Sequence, residues 1–541
     1  MQARVPWSRR PFGSGFMAGL VAGAIASGMM LLLSSTLGGL SLPQEFGSEL
    51  LALMPAPAFV FFHQLFGANG KYYFFIIVLI GQCLVFALGG ALVNRYANPK
   101  NAPLRWNLGL LLALALWLFA GVILLPLTGS GLFGANLTVG LVGGMLSLAV
   151  VGLIFGVLLV FVQRWLVAPA RGTVVDGEIQ DENARPTRRA LFKQAATVTI
   201  VVVAGLGIWE FISQGYSASK VPVTRLLQGY RSKVTPPPVP NYGTLEPAPF
   251  LSSEITPNDQ YYIVSKNFTD PTVTQGEWSL KVTGQIEHPY TLSYQDLLAL
   301  PMHQQYESME CISNEVGGSY MSSALWEGVR LADLLQKAGL KPGVTKIVLH
   351  AYDNYADSIH LSKALEQTTL VAVRMNNSTL PDGHGYPARV LVPGIFGMKH
   401  VKWLTEIEVV NYDYQGYWQQ RGWSDPAPVL LTSRIDTPLD GSSVAAHRTG
   451  YIAGVAFSGN KGISEVDVSL DGGKTWELAT LKRPLSQFTW VLWELAWQPQ
   501  PGHYTIVTRA IDLEGNVQDP RPASTLPDGA TGYHSISAIV S

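Results

Sequence analysis

Apolar positions are unevenly spread along the chain. Four long uncharged stretches, 16–40, 72–93, 108–128 and 138–162, fall in the first 215 residues, whereas later apolar runs are short and alternate with polar positions. Each stretch has the length of a bilayer-spanning helix, about 20 residues. A fifth, 195–209, is shorter and reaches spanning length only with Glu210 and Phe211. The pattern predicts a membrane anchor of about five helices over 1–215. Within it, Gly89-Gly90 and Gly143-Gly144 predict close helix contacts, and Cys83 reads as a packing residue.

After a Pro-rich linker over 216–250, which holds Pro236 to Pro240, the period changes. A helical pattern at 331–338 lies among strand-like runs such as 345–350 and 389–392, which predicts an α+β domain over 251–422. From 423 to 541, polar and apolar residues alternate around the Asp471-Gly472 turn and again at 504–510. That is the pattern of an all-β sandwich.

Charge orients the anchor. Arg4, Arg9 and Arg10 precede the first stretch, Arg95, Lys100 and Arg105 join the second and third, and Arg164 to Lys193 join the fourth and fifth. Placing these segments in the cytoplasm puts everything after Trp209 on the extracytoplasmic side of a multi-pass cell-membrane protein. Residues 187–193, with Arg188-Arg189, resemble a twin-arginine export signal set inside the chain. Such a signal suits a domain that crosses the membrane already folded around a cofactor.

Composition narrows the partners. The 541 residues are 48% hydrophobic and 14% charged, too apolar for a wholly soluble protein, so membrane lipid is one partner. A net charge of -1 gives no basic surface for nucleic acid. Only two cysteines are present, which excludes a disulfide framework and a Cys-rich zinc site. Cys311, just after a strand-like stretch, offers a soft thiolate for a redox-active metal. A buried structural cysteine or a nucleophilic thiol would read the same way.

Cys311-Ile312-Ser313-Asn314, followed by 325–335, resembles the molybdopterin domain of the sulfite oxidase family, and 469–476 resembles the immunoglobulin-like dimerisation domain that follows it there. The resemblance covers roughly 256–541. It implies a multi-domain chain: transmembrane α-helices, an α+β molybdopterin domain and an immunoglobulin-like β-sandwich. It also implies a molybdenum–molybdopterin cofactor with Cys311 as the metal's one protein ligand. Residues 382–389 match a cofactor element that carries over His384 and Arg389, and 397–404 match another that carries His400, Val401 and Lys402. Asp353 falls at a family aspartate, with Tyr355 beside it lining the cavity. Residues 256–268 resemble the first cofactor strand and offer Lys266 and Asn267.

Electron traffic needs a partner. The chain lacks a Cys-x-x-Cys-His haem site and an iron–sulfur cysteine set, and His63 is the only histidine before His288. No haem is expected, and a separate cytochrome-like or quinone-linked carrier is. The sandwich implies a homodimer by resemblance. The substrate expectation rests on departures from the family. Glu315 and Val316 stand where paired arginines follow Cys-x-x-Asn, the first-strand arginine falls at Ser265 or Lys266, and Trp423 takes the catalytic tyrosine's place. Fewer cations disfavour a small dianion. The expected reaction is therefore oxygen-atom transfer on a small sulfur or nitrogen compound of the S-oxide type, with sulfite oxidation as the alternative. A metal-free, membrane-tethered binding or scaffold protein is the reading from another class.

Overall fold

The computed structural model describes residues 12–37, 39–54, 70–96, 102–135 and 139–166 with minor gaps and a few isolated positions between, then 250–267 and 270–541. The fifth apolar stretch, the 187–193 motif and most of the linker lie outside the described residues. The chain divides into two compact units.

The first unit contains helices α1 (Phe12–Leu37), α2 (Leu42–Leu53), α3 (Gly70–Tyr96), α4 (Ala102–Leu118) and α5 (Gly140–Leu166). Among the described residues, four helices are long and apolar enough to cross a membrane: α1, α3, α5, and α4 continued through a π-helical stretch, Phe119–Leu124. Helix α2 was not anticipated, because its 12 residues with Glu45 and Glu49 lack spanning length. Small residues set the packing, as expected. A Cβ at Gly19 would lie 2.4 Å from the Phe86 carbonyl, and one at Gly90 would lie 2.6 Å from the Gly15 carbonyl. Polar side chains inside the bundle find partners, with Gln82 Nε2 donating to Ser27 Oγ at 2.8 Å and Gln163 Nε2 to the Gly90 carbonyl at 3.1 Å. Cys83 Sγ lies 3.9 Å from the same Ser27 hydroxyl.

The second unit begins its strands with β1 (Ser279–Gly284), β2 (Tyr290–Ser293), β3 (His303–Glu310), β4 (Met321–Arg330), β5 (Lys346–Ala351), β6 (Ala356–His360), β7 (Leu370–Met375), β8 (Ser378–Thr379), β9 (Arg389–Leu391) and β10 (Leu404–Val410). One sheet has the order β2-β1-β10-β5-β6 and the other β3-β4-β7-β8, with β9 also on β7. All six residues of β7 are buried, which suits its Val- and Ala-rich sequence. The expected helix at Leu331–Ala338 is present, burying Leu331, Leu334, Leu335 and Ala338 at helical spacing, and Gly339 ends it with φ +70. One expectation is corrected. The 256–268 stretch is not a strand: its described residues run as irregular chain, with Pro257 breaking the ladder, tied to β4 by Thr256 N–Ser323 O at 2.8 Å and Tyr262 N–Ser322 Oγ at 3.1 Å.

The C-terminal part is β-rich. A four-stranded sheet (Thr432–Thr437, Gly450–Phe457, Val491–Trp497, Thr480–Leu481) and a five-stranded one (Ser442–Val444, His534–Val540, Gly502–Asp512, Ile463–Ser469, Glu477–Leu478) share a core around Ile452, Val466, Trp493 and Ile506. The Asp-Gly turn joins Ile463–Ser469 to Glu477–Leu478 as antiparallel partners, as the alternation predicts. A separate apolar cluster of Ile312, Met321, Phe396, Trp423, Val455 and Trp490 joins this part to the α+β part.

Candidate active site

Strands β3 and β4 are antiparallel neighbours, and the loop between them carries Cys311. Cys311 N donates to the Tyr320 carbonyl at 3.0 Å and extends the ladder by one rung. Asn314 closes the loop: its Oδ1 accepts from Tyr320 N at 2.9 Å and its Nδ2 donates to Glu310 Oε1 at 2.8 Å. Gly318 allows this, since a Cβ there would stand 2.5 Å from Asn314 Oδ1. Arg434 Nη1 braces the loop from the β-rich part, donating to the Gly318 carbonyl at 2.8 Å. The thiol is buried, with Ser313 Oγ 3.0 Å from Sγ. Burial pushes the Cys311 thiol up, and the Ser313 bond offsets part of that. Tyr262, close enough to feel a charge on Cys311, has a buried hydroxyl without a hydrogen-bond partner. Gly397 lies against that hydroxyl, where a Cβ would come within 2.7 Å.

The two other matched elements are brought together by Arg389. Its buried guanidinium donates to the His384 carbonyl at 3.2 Å and the His400 carbonyl at 3.1 Å. Both histidines are buried, and their rings face backbone. His384 Nε2 is 3.0 Å from the Asn258 carbonyl. His400 Nε2 is 3.1 Å from the Ile395 carbonyl, and its Nδ1 accepts from Val392 N at 3.4 Å, which makes the ring neutral. Burial drives both imidazoles down to about 3. Val401 is a core residue whose carbonyl accepts from Val390 N. Lys402 Nζ reaches Ser265 Oγ at 2.6 Å and the Gly383 carbonyl at 3.0 Å. Gly385, with φ +108, permits that approach, because a Cβ there would meet Lys402 Cβ at 2.9 Å.

Lys266 pairs with Asp353 at 3.8 Å. Asn267 follows Lys266 directly in the chain. Tyr355, two residues beyond Asp353, places its hydroxyl 2.7 Å from the Met398 carbonyl and 3.0 Å from Asp357 Oδ2. Trp423 is buried against Trp418, in the apolar cluster that holds Ile312 next to Cys311. Sequence reasoning missed three residues here. Asp357 and Lys399 form a buried ion pair at 3.0 Å, and the Arg421 guanidinium stacks 3.6 Å over the Tyr417 ring and donates to the Tyr417 carbonyl. Lys266 Nζ lies 5.8 Å from that same ring, and Tyr355 packs 5.9 Å from it. The signal for Arg421 was its place between Trp418 and Trp423, in the aromatic run after the domain's last strand. Among the described residues, no group of three or more His, Cys, Asp or Glu could hold a metal ion. Cys311 therefore offers one donor.

The chain matches two family models: the oxidoreductase molybdopterin binding domain over 267–418 and the Mo-co oxidoreductase dimerisation domain over 429–527. Human mitochondrial sulfite oxidase is 32% identical over 324 residues, covering 50% of this chain and 59% of that protein. Sulfite oxidase from Arabidopsis thaliana is 29% identical over 327 residues, 50% of this chain and 83% of that protein. Among solved structures, the sulfane dehydrogenase SoxCD from Paracoccus pantotrophus aligns with 53% of this chain and 81% of its own, at 23% identity and a TM-score of 0.47.

Proposed function

We propose, from the premise that the chain belongs to the sulfite oxidase family of molybdopterin-dependent oxidoreductases, that its second unit catalyses two-electron oxygen-atom transfer on a small sulfur compound. The cofactor is molybdenum–molybdopterin, which when bound supplies the two-electron cycling and the oxygen exchange. The observation that carries the reading is Cys311. It is a single buried thiol in a loop closed by Asn314, beside a partnerless buried phenol, and among the described residues it belongs to no group of three or more His, Cys, Asp or Glu that could hold a metal ion. One thiolate suits a metal that arrives with its remaining ligands. Cys311 is then the metal ligand, with Lys266, Asn267, Asp353 and Lys402 contacting the pterin. His384, Arg389, His400 and Val401 shape the two turns through their bonds to backbone, and Arg389 keeps a buried Nε without a partner. Tyr355 and Trp423 line the reacting cavity.

Arg421, at the Tyr417 ring beside Tyr355, favours an anionic substrate, so we rank a sulfite-type oxyanion first. The expected S-oxide remains the second reading, favoured by Glu315 and Val316 in place of cations in the Cys311 loop. Residues 1–215 serve as the anchor, with the catalytic unit on the extracytoplasmic side and the boundaries at 250 and 422. The β-rich part is an immunoglobulin-like sandwich that pairs two copies, and a separate carrier takes the electrons. The chain spans 59% of the human relative's length, so substrate and partners rest on this chain's own residues. Steady-state assays with sulfite and an artificial acceptor, beside S-oxides and N-oxides with a reduced dye, test the ranking. Saturable oxide turnover without sulfite turnover reverses it, and protein made in a molybdopterin-competent host without molybdenum rejects the enzyme.

A further inference from the structure

Tyr355 presents one phenolic proton to two acceptors, the Met398 carbonyl at 2.7 Å and Asp357 Oδ2 at 3.0 Å. When that proton lies on the Met398 carbonyl, the contact with Asp357 calls for a proton on the carboxyl. The pair thus has two states that differ by one proton: the phenol alone protonated and bonded to Asp357, or the phenol turned to the Met398 carbonyl with Asp357 protonated as well. Asp357 is fully buried and joined to more than Tyr355. Lys399 Nζ donates to Asp357 Oδ1 at 3.0 Å, to the Ser358 carbonyl at 2.8 Å and to Asp425 Oδ1 at 3.2 Å. Asp425 offers its other oxygen to Lys346 Nζ at 2.7 Å. Lys346 in turn reaches the Tyr414 carbonyl at 3.1 Å and Asp413 at 2.5 Å. Asp413 is 73% exposed, whereas both lysine side chains are 2% exposed. An unbroken line of hydrogen bonds therefore runs from the Tyr355 phenol to solvent.

Buried ion ladders add little to stability, because desolvation of each charge offsets much of the attraction. Transfer of oxygen from water to a substrate, in contrast, releases protons that must leave a closed site. We propose that Tyr355 and Asp357 are the proton-transfer pair of this reaction and that Lys399, Asp425 and Lys346 carry the proton between them and solvent at Asp413. The inference rests on the oxygen-atom transfer proposed above. In the oxidative direction the water that supplies the oxygen loses two protons, and two electrons pass singly to a one-electron carrier protein. A water O–H bond breaks toward Tyr355 Oη while the phenol's own proton moves to Asp357. Lys399 then gives a proton to Asp425 and regains one from Asp357, and Lys346 repeats the exchange with Asp425 and Asp413. The second proton takes the same path, and reduction of an oxide runs it inward.

The surroundings suit the role. Burial raises the Asp357 carboxyl despite Lys399, and burial holds the Tyr355 phenol well above its usual range, with Asp357 and Asp353 adding to the effect. The charged and titratable groups facing Asp357 are Lys399 and Asp425, Tyr355 and Asp353 on the neighbouring turn, and Tyr414 and Tyr417 beyond β10, with Lys346 behind Asp425 and Lys266 neutralising Asp353.

Infrared difference titration of the full chain in detergent reads Asp357 without turnover. Wild type should give a buried carboxylic-acid band that vanishes in Asp357→Asn and shifts to higher pH in Lys399→Met. In turnover, Asp357→Asn should lower kcat on the order of 10²-fold with KM and molybdenum content unchanged, and Asp357→Glu should recover part of the rate. Asp425→Asn, farther along the path and partly exposed, guards against a folding artefact. It should slow kcat and enlarge the solvent deuterium isotope effect. An active wild type whose Asp357→Asn and Asp425→Asn variants keep its kcat and isotope effect overturns the relay, as does a carboxyl band that survives Asp357→Asn. A molybdenum-loaded wild type that turns over no sulfur or nitrogen compound instead overturns the reaction, and the infrared band still decides the proton switch.

Discussion

Arg389 Nη2 donates to the backbone carbonyl of His400 at 3.1 Å, while Nη1 holds the carbonyl of His384. One buried guanidinium thereby fixes the spacing of the two turns that resemble cofactor elements. Arg389→Met keeps the bulk but leaves two buried carbonyls unpaired, each at about 1–3 kcal/mol. We expect the second unit to lose about 2–5 kcal/mol on that basis, read by tryptophan fluorescence during urea unfolding, together with reduced pterin content. Arg389→Lys, which reaches only one carbonyl, should recover less than half. Wild-type stability and pterin content in Arg389→Met would show that the turns are held by other contacts.

Cys311→Ser replaces a soft thiolate with a hydroxyl that stays protonated in a buried loop. The loop itself depends on Asn314 and Tyr320, not on the thiol, so the fold should persist. Molybdenum-edge absorption should lose one sulfur neighbour, and turnover should cease. A metal spectrum identical to wild type is the outcome that removes Cys311 from the metal.

Buried groups should set a pH window for stability. His384 and His400 are held neutral, at about 3 against an ordinary 6.5, so the unfolded chain binds more protons below 6.5 and their stabilisation is lost as pH falls from there toward 3. Glu307 is raised by burial to about 8 from an ordinary 4.5, so its contribution is full below 4.5 and is lost as pH rises through 8. Glu310 is likewise raised by burial, to about 7, so the four groups hold stability level between 4.5 and 6.5, with a fall on either side. Denaturant unfolding across pH 4 to 9 should show it, and Glu307→Gln should weaken the alkaline limb and tilt the level stretch upward toward 6.5, with Glu310 supplying the fall that remains. An alkaline limb that persists unchanged in that variant would assign it to other groups.

Local pattern carried much of this. The alternation around Asp471-Gly472, the helical spacing of 331–338 and the first four apolar stretches each reflect the period of one element, and each appears where expected. The Cys311, His384 and His400 elements were legible as contiguous runs. The Asp357–Lys399–Asp425–Lys346 ladder was not, because its members come from separate strands and turns and gain meaning only on contact. His400 and Val401 read as cofactor contacts in a motif, and the fold adds that the His400 ring and the Val401 carbonyl also bond backbone. Counting arginines near Cys311 also missed Arg421, which reaches the Tyr417 ring from the far end of the domain.

That last residue decides between substrate classes. An anion bound beside Tyr355 and Tyr417 would meet the Arg421 guanidinium, and a hydrogen bond to a charged group contributes about 1.5–3 kcal/mol. Arg421→Gln preserves an amide donor but removes the charge. For sulfite we expect KM to rise about 10- to 100-fold on that scale, more steeply at low salt, where the charge is less screened. KM for a neutral S-oxide should change less than about threefold. Arg421→Lys should restore part of the sulfite affinity, because charge returns without the planar fork. Equal losses for sulfite and S-oxide would mean that Arg421 only supports the Tyr417 loop. An effect confined to sulfite would tie the site to oxyanions.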